Sequence, residues 1–158
     1  MKNIIKNKGF TLIEVLVVMG ILAILATIVL IAINPSRQFK QARDTQRTSN
    51  VNAILNAIGQ YAADHKGTLP TDIDATPTDI SDTGADICEN LVPTYMPALP
   101  ADPNLTGGAM ADGQITSAEC SGVGVYDTNY QVSVDTDGRI TVSAVSEVTP
   151  ASTISVTR

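Results

Sequence analysis

Glu14 is the residue most in need of a chemical explanation. It borders an apolar stretch, Val15 to Ile33, nineteen residues without a charge and interrupted only by Gly20 and Thr27. A carboxylate inside an apolar helix costs roughly 2.5–3.5 kcal/mol at the centre of a membrane, and less near an interface. Either Glu14 faces water at that interface, or it is a carboxylate that needs a positive partner in a dry place. Other groups able to do chemistry are few. His65 is the only histidine, and Cys88 and Cys120 are the only cysteines. One histidine near the end of a helix cannot complete a Ser/His/Asp or Cys/His set, and it reads as a helix-ending residue near the negative pole. Two cysteines cannot build a Cys-type zinc site without other ligands. The isolated pair reads better as one disulfide, worth about 3–4 kcal/mol by chain entropy. Asp135-x-Asp137-Gly138 has the opening spacing of a calcium loop. The twelfth position, counted from Ser133 or from Asp135, falls on Ala144 or Ser146 rather than a glutamate. Turn chemistry fits it better. Gly122-x-Gly124 lacks the strand–turn–helix setting of a nucleotide loop. The chain is therefore expected to have no catalytic residue, no metal site and no cofactor.

The elements that must position these residues follow from patterning. The apolar run is long enough to cross a bilayer, and no second run of this kind exists, which excludes a multi-span transporter. The basic start, Lys2, Lys6 and Lys8, suggests a signal peptide. The apolar part is too long for one, and Asn34-Pro35-Ser36-Arg37 offers no small-x-small cleavage site. Asn34-Pro35 ends or kinks the first helix. Val51, Ile54, Leu55, Ile58, Tyr61 and Ala62 then mark one face of an amphipathic helix, which Gly67 and Pro70 stop. A continuous helix from Phe10 to His65 would reach roughly 80 Å. Arg37, Lys40, Arg43 and Arg47 form a basic stripe, read as solvated or facing lipid headgroups.

Residues 68–114 are rich in Thr, Asp, Pro and Gly, and read as a loop region with one short helix near Ala85–Leu91. Tyr130, Val132 and Val134, then Ile140, Val142 and Ala144, alternate with polar residues around Asp135–Gly138, which is a hairpin. Val123–Tyr126 is a candidate third strand, and the Ser/Thr-rich tail, 146–158, is expected to fray. The sheet needs a cover for its apolar face, and the Val51–Ala62 face is the one good candidate. Residues 1–66 carry a net charge of +5 and residues 67–158 carry −11. The acidic half repels phosphate backbones, so nucleic-acid binding is not expected of it.

Residues now point to a family. Lys8-Gly9-Phe10-Thr11-Leu12-Ile13-Glu14-Val15-Leu16 resembles the processing motif of type IV prepilins and pseudopilins. Three later segments are similar to other parts of these proteins: Tyr61–Pro70 to their helix exit, Tyr95–Pro103 to a segment of major pseudopilins and some pilins, and Asp135–Ala144 to their closing hairpin. After Asp102-Pro103, major pseudopilins usually carry Trp-Gly, whereas this chain has Asn104-Leu105-Thr106-Gly107. That departure and the cysteine pair favour a pilin.

The resemblance implies an α+β fold, a long N-terminal helix packed on a small antiparallel sheet. It implies a leader at 1–9, a membrane-spanning and filament-core helix at 10–35, an amphipathic helix at 36–66 and a head at 67–158. The prepilin peptidase would cut between Gly9 and Phe10 and methylate the new amine of Phe10. Glu14 would be the fifth mature residue, pairing with the amine of a neighbouring subunit during assembly. The partners implied are further copies of the chain, the peptidase and an assembly platform in the inner membrane. The leader would stay in the cytoplasm and the head outside, which agrees with a disulfide between Cys88 and Cys120. The positive-inside count alone slightly favours the opposite orientation. The implied function is a pilus-like extracellular filament subunit. The alternatives are a major pseudopilin of type II secretion and a membrane-anchored binding domain that does not polymerise. Some pseudopilins hold calcium before the hairpin, where Asp102 and Asp112 stand here.

Overall fold

The computed structural model describes residues 9–105, 113–121 and 126–158. The chain divides into two compact units, Met1–Gln38 and Phe39–Arg158. In the first unit, helix α1 spans Leu12–Ala32. Thr11 caps it, with extended backbone and a side chain that accepts from the Glu14 amide at 3.3 Å. Thr27, the one hydroxyl in the apolar run, donates to the Ala23 carbonyl at 2.8 Å, so no polar group is left for the surroundings to satisfy there. Ile33 closes the helix in extended conformation. The Asn34 side chain then accepts from the Arg37 amide, and Pro35 opens helix α2, Pro35–Asp64. Proline at a first helical position loses no intrahelical bond. The chain thus makes two helices where an unbroken one is possible on length alone.

At its far end α2 stops as the glycine forecast. Lys66 and Gly67 both take left-handed backbone, and the Gly67 amide closes onto the Ala62 carbonyl at 2.7 Å. His65 lies at that end, exposed, stacked on Tyr61 with ring centroids 3.9 Å apart.

The second unit is built on a four-stranded antiparallel sheet. Its strands are β1 (Thr78–Ser81), β4 (Asp127–Val134), β5 (Ile140–Val145) and β6 (Thr153–Thr157), in spatial order β1-β4-β5-β6. The hairpin forms in the register set by its alternation, with Val132 opposite Val142 and Val134 opposite Ile140. Gly138, at positive φ, supplies the left-handed residue of its turn. Thr128, Tyr130 and Val132 of β4 and Ile140, Val142 and Ala144 of β5 are buried. Of these, Tyr130, Val132, Ile140, Val142 and Ala144 share one core cluster with Val51, Ile54, Leu55, Ala57 and Ile58 of α2. The expected helix face does cover the sheet.

Two strands correct the sequence reading. The tail does not fray: β6 pairs along β5 from Thr153 opposite Val145 to Thr157 opposite Thr141. β1 lies inside the region read as loop and pairs with β4, with a break in register between Asp79 and Ser81. Both are edge strands with few apolar side chains, so their period-two signal is weak. The candidate strand at Val123–Tyr126 lies largely outside the described residues, and Tyr126 precedes β4.

A short layer completes the unit. Helix α3 (Cys88–Leu91) falls in the expected place, and strands β2 (Leu99–Pro100) and β3 (Gln114–Ile115) pair with each other antiparallel. Helix α4 (Ser117–Cys120) carries a capping box through Thr116 and Glu119. Cys88 and Cys120 are joined in a disulfide with Cα atoms 5.4 Å apart, tying α3 to α4.

Candidate functional site

The N-terminal motif is presented without cover. Gly9, Phe10 and Glu14 are exposed, Phe10 at 83%. A Cβ placed on Gly9 would meet no atom within 4 Å, so packing gives no reason for a glycine there. Gly20, inside α1, is equally open on its surface. A glycine costs about 1 kcal/mol in a helix interior relative to alanine, and no contact among the described residues explains this one. No residue of α1 is buried, and its apolar side chains from Leu12 to Ile31 stand exposed. α1 passes the length and composition test for a membrane span. Glu14 opens this helix in its first turn, where the free amides and the helix dipole favour a carboxylate.

A second cluster of charges, in the head, behaves in the opposite way. Arg47 is only 3% exposed and grips Asp102, also 3% exposed, through two parallel bonds. Nε donates to Oδ2 at 2.6 Å and Nη2 to Oδ1 at 2.9 Å. Its remaining nitrogen, Nη1, donates to Asp44 at 2.8 Å. Asp44 also accepts from the Ser146 hydroxyl at 2.7 Å and from the amides of Glu147 and Val148. Arg43 completes the set with a bidentate pair to Glu147, at 2.6 and 2.5 Å. Burial works against the Asp44 charge, yet these donors hold its carboxyl down at about 2. Arg43 above all holds Glu147 down at about 2. Asp102 raises the Arg47 guanidinium beyond its ordinary range. Next to this cluster, Asn50 donates to the buried Tyr130 hydroxyl at 2.9 Å. Burial pushes that phenol up to about 12.

This clamp corrects the reading of the basic stripe. Arg43 and Arg47 are not a solvated or headgroup-facing pair. They tie α2 to the segment after β2 and to the loop after β5. The missed signal was spacing: Arg47 precedes Val51 by four residues, so it continues the apolar stripe and must point into the core. Arg37 and Lys40 enter no salt bridge among the described residues. Asp102, which a calcium loop would use, is taken by Arg47, and Asp112 lies outside the described residues. Among the described residues no cluster of three or more His, Cys, Asp or Glu is arranged to hold a metal ion.

The fold, an apolar N-terminal helix followed by a second helix and an antiparallel four-stranded sheet, is α+β and consistent with a pilin-like architecture. A family model described as the prokaryotic N-terminal methylation motif matches residues 5–30. The chain thus carries the signature of type IV pilins and pseudopilins, and the match takes in Gly9, Phe10, Glu14 and most of α1. Such a motif marks a membrane-anchored precursor processed by a prepilin peptidase. No curated protein and no solved structure gives a significant match to this sequence.

Proposed function

We propose that the protein is a pilin, the structural subunit of a type IV pilus-like extracellular filament. It is made as a prepilin in the inner membrane, cut between Gly9 and Phe10, and methylated at the Phe10 amine. It polymerises through α1, and its head forms the outer surface of the fibre. It catalyses nothing; it is a substrate of the peptidase and a building block. The observation that carries this reading is the pairing of the methylation motif with a 21-residue apolar helix of which no residue is buried. Burying an apolar side chain of the size of Leu or Ile is worth about 1.5–3 kcal/mol, so such a helix demands a bilayer first and other helices afterwards. Gly9 supports processing, because a small residue unexplained by packing fits the demand of a protease. Gly20 supports close helix approach in a filament core. In that core Glu14 meets the amine of an adjacent Phe10, and the pairing is available only on assembly.

The mass of the N-terminal peptide from protein sheared off cells tests the proposal. A peptide beginning at methylated Phe10 in the sheared fraction is expected. An intact Met1 start, with all protein in the membrane fraction, contradicts it and leaves an anchored domain that does not polymerise. A cut peptide confined to the membrane fraction points to a secretion pseudopilin.

A further inference from the structure

After the clamp takes Arg43 and Arg47, one short stretch of α2 remains unexplained. Phe39 is 65% exposed, and beyond Ile33 the exposed large apolar side chains among the described residues are Phe39 and Val145 alone. The chain has two phenylalanines, and both are exposed, while Tyr126 and Tyr130 are buried and Tyr61 and Tyr95 are half-buried. Lys40 adjoins Phe39, and Arg37 stands two residues before it. No acid occurs between Glu14 and Asp44, and Asp44 is already engaged in the clamp. The local charge is therefore positive and unopposed.

Position in the chain says what this stretch meets. Phe39 lies seven residues beyond Ala32, the last residue of α1. Seven residues span at most roughly 25 Å even when fully extended, and the α-helical turns from Pro35 onward shorten that reach. When α1 crosses a bilayer, Phe39 and Lys40 are held within reach of its headgroup layer. An aromatic ring beside flexible cations is the chemistry of membrane interfaces: the ring sits at headgroup level and the ammonium reaches phosphate.

We propose that Phe39 and Lys40, assisted by Arg37, form an interfacial anchor that holds the unassembled subunit to an anionic lipid surface. Phe39 enters the headgroup layer and Lys40 pairs with lipid phosphates. Each cation near such a surface favours it about fivefold. Extraction into a filament then has to break this contact as well as remove α1 from the bilayer. The inference rests on the reading of α1 as a membrane span.

The chain lacks tryptophan, so Phe39→Trp introduces a single reporter. The full-length variant is reconstituted at low density into phosphatidylcholine vesicles with and without phosphatidylglycerol, carrying quenchers at headgroup or mid-chain depth. The expected result is blue-shifted emission, quenched most by the headgroup label, and stronger with phosphatidylglycerol. Adding Lys40→Gln and Arg37→Gln should reduce the quenching to the level seen without phosphatidylglycerol. Protein that floats with the vesicles but shows water-like emission, insensitive to either label, overturns the anchor while leaving the span intact. Emission that shifts only as protein density rises, without lipid quenching, assigns Phe39 to a contact between copies and also overturns it. Failure to float removes the span, and the anchor with it.

Discussion

Glu14 and Asp102 are both carboxylates set among apolar neighbours, and they meet opposite fates. Asp102 is buried in the head and receives two bonds from Arg47 and one from the Asn104 amide. Its partner lies 55 residues away in the same chain, so folding alone supplies it. Glu14 opens a helix that buries nothing, and among the described residues it enters no salt bridge. The head completes its own core and satisfies its own charges, with no buried side-chain nitrogen or oxygen left unpartnered among the described residues. The N-terminal helix leaves both its apolar surface and its charge open. One region is finished by folding; the other is left open by it, and under the proposed function assembly finishes it.

The comparison breaks most visibly at Arg47. Arg47→Ala leaves Asp102 buried without its counter-charge, and the head should lose about 3–5 kcal/mol. Glu14→Ala should leave the head's stability unchanged. Thermal and denaturant unfolding of the detergent-solubilised chain, followed by circular dichroism, checks both.

Next in size is the disulfide. Cys88→Ser together with Cys120→Ser opens a loop with sequence separation 32, and the chain-entropy estimate gives a loss of about 3–4 kcal/mol. Denaturant midpoints of the double variant, and of the reduced parent, should agree.

Tyr130→Phe removes only the hydroxyl that Asn50 serves, and should cost about 1 kcal/mol. The same unfolding assay resolves it.

The clamp also sets an acid limit. Asp44 and Glu147 are held at about 2, below their ordinary values of 3.8 and 4.5. Both are charged in the fold at a pH where the unfolded chain would bind protons. Their stabilisation is complete above about pH 4.5 and fades as pH falls toward 2. Glu147→Gln should lower the melting temperature above about pH 4.5, where the charge stabilises the fold, and change it little near pH 2, so that the fall across that window flattens; melting curves recorded from about pH 7 to about pH 2 check it.

Much of this was legible from residues alone. Strong periodicity announced α1, the covering face of α2 and the β4–β5 hairpin, because those segments bury long regular stripes. The motif at Gly9–Glu14 was legible because its residues are contiguous. What escaped were features whose partners are distant or whose burial is one-sided. β1 and β6 sit at sheet edges, where Thr and Ser suffice and the alternation of Ile154 and Val156 is faint. The clamp needed residues from α2, the segment after β2 and the loop after β5 to meet. No local pattern links Arg47 to Asp102. Only the phase of Arg47 with Val51, Ile54 and Ile58 hinted that it turns inward.

The central claim is that α1 and Glu14 are completed by other copies of the chain. Glu14→Ala tests it most directly, scored by the amount of protein in the sheared fibre fraction against the amount retained in membranes. The account predicts a stable head, a chain still cut between Gly9 and Phe10, and loss of the sheared fraction. Fibres at the parent level, built from a subunit without the Glu14 carboxylate, would contradict it.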